Sequence, residues 1–63
     1  MNKIINILMR RDGLSYEEAK NLFFETQEEI DIALREGRNL EDVEYIIEDY
    51  LGLEPDYVIY FIM

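Results

Sequence analysis

Three glycines set the frame for this chain. Gly13, Gly37 and Gly52 each follow a run whose apolar residues recur every three or four positions. Glycine enters left-handed backbone cheaply and is favoured just past a helix end. The spacing therefore predicts an all-α fold: a small bundle of three to four short helices over about 2–11, 16–36, 40–51 and 55–62, forming one domain over 1–63. The length of 63 residues leaves room for little else. A chain of this size buries only about 60% of the surface it exposes when unfolded. It has no cysteine and no histidine, so disulfides and the usual metal staples are excluded. Helix packing and association between chains remain as sources of stability, and a dimer is expected.

Each segment carries its own signals. The first holds Ile4, Ile5, Ile7, Leu8 and Met9, with Arg10 and Arg11 in the last turn, where cations suit the helix dipole. It is short and β-branched, so a strand over Lys3–Met9 is the alternative. The second opens on Ser15-Tyr16-Glu17-Glu18, a capping box, with Leu14 and Ala19 placed as a hydrophobic staple. Its apolar stripe is Ala19, Leu22, Phe23, Thr26, Ile30, Ala33 and Leu34, and its acids lie on the opposite arc. The third opens at Asn39, with Glu41 and Asp42 in the first turn. Its stripe is Leu40, Val43, Ile46, Ile47, Tyr50 and Leu51, and Leu53 is placed to fold back on the last turn. In the fourth, Pro55 sits at a first helical position. The run Tyr57–Met63 favours a strand by residue preference and a helix by its proline start.

Charge narrows the possible partners. Residues 1–11 hold Lys3, Arg10 and Arg11 and no acid, a charge of +3. Residues 12–63 hold all 15 acids and three cations, a charge of −12, for a net −9. Such a body repels nucleic acid and anionic membranes and attracts basic surfaces. The same acid also keeps a small apolar domain soluble, which is the competing account of it. The run Ile4–Met9 is too short for a signal core. No segment approaches the roughly 20 apolar residues of a membrane span. The expectation is a cytoplasmic protein with neither membrane nor direct nucleic-acid contact.

The residues argue against catalysis. The adjacent acids Glu17/Glu18, Glu28/Glu29, Glu41/Asp42 and Glu48/Asp49 diverge by about 100° on a helix and share no site. Calcium-loop spacing, His or Cys ligands and a glycine-rich phosphate loop are all missing, so no metal and no cofactor is expected. Two surfaces remain. One is an acidic face of Glu18, Glu25, Glu28, Glu29, Glu41, Glu44 and Glu48. Carboxylates three and four apart stand roughly 5–6 Å from each other, not far from phosphate spacing along one DNA strand. The rows Glu18/Glu25/Glu29 and Glu41/Glu44/Glu48 therefore permit mimicry of DNA, against the plainer reading of solvated helix exteriors. The other surface is an apolar surplus: Phe24, Ile32, Tyr45, Tyr57, Tyr60 and Phe61 lie off the stripes or crowd the short tail. Exposed aromatic clusters mark interfaces, so these six are the expected partner or dimer contacts. The plainer reading has Phe24 half-covered by the tail.

The stretch Arg10-Arg11-Asp12-Gly13-Leu14-Ser15-Tyr16-Glu17-Glu18-Ala19, with Gly52-Leu53-Glu54-Pro55-Asp56-Tyr57 near the end, resembles a family of small acidic proteins encoded by tailed phages and prophages. Its motifs are structural: a helix stop, a capping box and a Gly/Pro turn. The resemblance brings no catalytic residue. It implies a context in which small acidic proteins inhibit host machinery, including restriction, CRISPR and helicase–nuclease defence complexes, by direct binding. Assembly of a virion is a further reading.

Overall fold

A computed structural model describes residues 2–62, and the regular structure among them is helical throughout. Helix α1 spans Lys3–Asp12, α2 Tyr16–Arg35 and α3 Leu40–Leu51. The tail is a 3-10 turn over Pro55–Val58 that runs directly into a single α-helical turn, α4, over Ile59–Ile62. The strand alternatives are overturned over Lys3–Met9 and Tyr57–Ile62, and Met63 lies outside the described residues. At the N-terminus the reason is a cap: the Asn2 side chain accepts from the amides of Ile4, at 2.7 Å, and Ile5, at 3.3 Å. This satisfies donors that a β-branched segment could not otherwise spare.

The other helix ends use the chemistry that their sequences contain. Ser15 Oγ accepts from the Glu18 amide at 3.1 Å, and Glu18 Oε1 accepts from the Ser15 amide at 2.9 Å, closing the capping box. Asn39 Oδ1 accepts from the Asp42 amide at 3.0 Å. At the end of α2 the Arg38 amide donates to Ala33 O and the Gly37 amide to Leu34 O, the paired bonds of a Schellman turn. That turn needs left-handed backbone at Gly37, where φ is +79°.

Helix α2 is the spine. Its buried column is Ala19, Phe23, Thr26, Ile30 and Ala33. Ile4, Ile5 and Leu8 of α1 and Val43, Ile47 and Leu51 of α3 join it in one core, together with Leu53, Val58 and Phe61. Among the described residues Thr26 is the one buried polar side chain, and its hydroxyl donates to Leu22 O at 2.8 Å. Three residues placed in the stripes lie largely in water: Leu34, Leu40 and Tyr50. Leu34 and Leu40 sit in the turns beside the α2–α3 connection. There α1, about 15 Å long against about 30 Å for α2, does not reach. Tyr50 flanks the α3 column at its edge.

The tail is helical over 55–62, as expected, in two consecutive pieces. Pro55 opens it, and the Tyr57 amide donates to Glu54 O three residues back, the tighter 3-10 pattern. Val58 and Phe61, three apart, turn inward. The Phe61 ring stacks on Phe23 with centroids 5.0 Å apart. Gln27 Nε2 donates to Phe61 O at 3.1 Å and fixes the end of the tail on α2.

Arg11 makes a tie that periodicity does not reveal. Its guanidinium donates to Leu51 O and, at 3.0 Å, to Gly52 O. It also forms two 2.8 Å bonds to the Asp12 carboxylate. The cation thus sits on orphan carbonyls at the C-terminal end of α3, where the dipole favours it, and joins α1 to α3.

Two stability predictions follow from these contacts. Phe61→Ala should lower unfolding free energy by about 3–5 kcal/mol, read by urea denaturation; a loss below about 1 kcal/mol would mean that the tail is not part of the cooperative core. Arg11→Ala should cost about 1 kcal/mol, the discount reflecting its exposure. Arg10→Ala should stay within about 0.5 kcal/mol, and equal effects of the two would remove the tie from the account.

Candidate functional site

The six expected contact residues separate into different environments. Phe61 is corrected outright: at 7% exposure it belongs to the chain's own core, because it stacks on Phe23 while Gln27 holds its carbonyl. Tyr57 is half-buried against that core. Phe24, Ile32, Tyr45 and Tyr60 are exposed, with Phe24 at 57% and Tyr45 at 58%. Ile32 stands two turns along α2 from Phe24 and about 80° round it, so these two do not form one contact point.

One surface gathers around the tail. Phe24 meets the edge of Phe23 at 5.6 Å, and Phe23 stacks on Phe61, so three rings run from solvent into the core. Because Val58 and Phe61 point inward, Ile59, Tyr60 and Ile62 point out, and Ile59 and Ile62 are 48% and 45% exposed. Tyr60 packs 6.0 Å from Tyr57 and lies under Lys3 Nζ, 5.7 Å from the ring centroid. Ile59 and Ile62 were not among the six expected contact residues. The signal was available: if Val58 and Phe61 face inward at i and i+3, their neighbours must face out.

The other surface is an open groove of about 210 Å³ lined by Glu41, Glu44, Tyr45, Glu48 and Pro55. The expected row Glu41/Glu44/Glu48 is thus drawn along one wall, with the Tyr45 ring and the proline as its apolar part. Sites for small molecules usually enclose roughly 300–1,000 Å³; this groove is smaller and open, the scale of a partner's side chain. The row Glu18/Glu25/Glu29 is less uniform. Glu29 is half-buried. The Glu18 carboxylate is engaged by Ser15, whose backbone amide and then hydroxyl hold it below the usual carboxylate range. Glu25 and Glu28 are exposed.

Among the described residues no three His, Cys, Asp or Glu side chains are grouped to hold a metal ion. Among the described residues no helix is long and apolar enough to cross a membrane. No protein-family model, no curated protein and no solved structure matches this chain. The reading of the site therefore rests on its own geometry.

The two perturbed carboxylates give a pH signature. Glu18 is lowered by its bonds with Ser15, and Asp12 by its hydrogen bonds from Arg11. A carboxylate whose folded pKa is depressed adds stability that is complete above its unfolded value and is lost as pH falls through the folded value. Glu18→Gln should therefore show a shallower fall in melting temperature than the parent between about pH 5 and pH 3. Parallel curves would contradict the assignment.

Proposed function

We propose that this chain is a protein-binding module, a phage-encoded inhibitor that acts as a homodimer by direct contact with a host protein and performs no chemistry of its own. One observation carries the reading: large apolar side chains stay in water on a domain whose body is densely acidic. Phe24 and Tyr45 are each more than half exposed, and Tyr45 stands beside three glutamates in an open groove. A partner that fits is a basic surface with an apolar centre. The acids steer and orient the encounter. The desolvated aromatic rings supply most of the stabilisation, as tyrosine anchors do in other interfaces.

The run of Glu41, Glu44 and Glu48 along the groove wall favours one second reading, that this edge imitates a nucleic-acid strand in a basic cleft. The two readings respond differently to salt. An aromatic-centred contact persists at about 0.5 M salt, where the screening length is only a few ångströms, and a mimic of phosphates does not.

The test is affinity capture from a bacterial lysate with the intact chain as bait, at low salt and at about 0.5 M salt. A specific host protein should be retained at both, and Tyr45→Ala should reduce its affinity by about 30-fold, the effect of losing a contact worth about 2 kcal/mol. Release at high salt, with Tyr45→Ala without effect, would transfer the case to mimicry. Capture of nothing would remove the binding reading.

A further inference from the structure

We propose that the Asp12–Gly13 step is a site of spontaneous backbone modification, converted through a cyclic imide to isoaspartate, and that Arg11 is the positioning residue that restrains it. The site is independent of the partner surfaces described above.

The reaction needs a side-chain carboxyl group, the amide nitrogen of the next residue and room for the two to meet. Of the five aspartates, Asp31, Asp42, Asp49 and Asp56 precede Ile32, Val43, Tyr50 and Tyr57, whose branched or aromatic side chains crowd that nitrogen. Asp12 alone precedes glycine. Both residues are exposed, and beyond its chain neighbours nothing lies within 4 Å of where a Gly13 side chain would begin. The nitrogen is also unengaged. At the other helix exits the Gly52 amide donates to Glu48 O at 2.9 Å and the Gly37 amide to Leu34 O at 3.1 Å. Among the described residues the Gly13 amide has no backbone acceptor. No hydrogen bond through that amide therefore opposes the backbone rotation at the end of α1 that carries it toward the Asp12 side chain.

The step balances without any co-reactant but water. The Gly13 nitrogen attacks Asp12 Cγ, an N–Cγ bond forms, and a Cγ–O bond breaks. The oxygen leaves as water with the acid proton and the amide proton. Water then opens the five-membered imide. Opening at Cγ restores aspartate. Opening at the main-chain carbonyl leaves the chain running through Cγ, as isoaspartate, with no change of mass.

Arg11 opposes this in two ways. A carboxylate does not lose its oxygen as water, so the neutral acid is the reactive form. The Arg11 guanidinium donates to both Asp12 oxygens at 2.8 Å and so favours the ionised form. The same guanidinium is anchored on Leu51 O and Gly52 O, which keeps the carboxylate from turning to the Gly13 nitrogen. Isoaspartate lengthens the main chain by a methylene and moves the carboxyl group, so the modified chain loses this pair.

The test is storage of the purified chain at about pH 6, where the neutral acid is a minor form, with isoaspartate at each aspartate quantified over weeks by peptide mapping and electron-transfer fragmentation. Isoaspartate should gather at position 12 and not at 31, 42, 49 or 56. Arg11→Ala should speed its formation about tenfold, the scale of one lost charge-assisted contact. Ile30→Val weakens the core by a similar amount to the loss of the Arg11 tie and leaves the pair intact, so it should keep the parent's rate. In denaturing urea the parent and Arg11→Ala should react alike, because the anchor on α3 is gone. No isoaspartate at position 12 in Arg11→Ala overturns the site. Equal rates in the folded parent and Arg11→Ala, or an equal acceleration by Ile30→Val, overturn the restraint by Arg11.

Discussion

The buried column of α2 is the surface on which every other element depends. Ala19, Phe23, Thr26, Ile30 and Ala33 cannot be sheltered by one neighbour, because α1 spans only about half the length of α2. Helix α3 covers one flank, and α1 and the tail cover the rest. None of these shorter pieces would hold a helix alone in water. Their stability is borrowed from the column, and that makes the domain cooperative despite its size. The Phe61–Phe23 stack closes the arrangement, since it brings the last turn of the chain onto the middle of the spine.

Closing the core with so short a tail has a consequence at the surface. A four-residue turn can present only one side inward, and this segment is apolar on both. Sheltering Val58 and Phe61 therefore forces Ile59, Tyr60 and Ile62 into water. An ordinary monomer would place charged residues at such positions. Here residues 57–62 carry no charge, Lys3 lies over Tyr60, and the start of the tail packs against α3. The molecule thus offers exposed apolar side chains at its tail and an acidic groove containing Tyr45 on α3.

Arg11 shows how little of a charge's role lies in its position along the chain. In the sequence, Arg10 and Arg11 are equivalent as complements to the α1 dipole. In the fold only Arg11 reaches the free carbonyls of Leu51 and Gly52 while holding Asp12. It lies against the exit of α3, where left-handed backbone at Gly52 leaves those carbonyls accessible.

Local structure was determined by the sequence alone. The helix ends, the capping box at Ser15–Glu18, the glycine stops and the inward column of α2 depend on interactions within a few residues, and such interactions are written in the order of side chains. The tertiary structure decided what covers what. Leu34 and Leu40 share the spacing of core residues, yet they lie in water because α1 is too short to reach them. Phe61 was expected at an interface and is buried because it stacks on Phe23 while Gln27 holds its carbonyl. The Arg11 tie joins segments some forty residues apart, and the turn at Gly52 brings Pro55 back beside Glu41, Glu44, Tyr45 and Glu48. Periodicity reports which way a side chain points, and only packed elements of known length and angle decide whether anything is there to meet it.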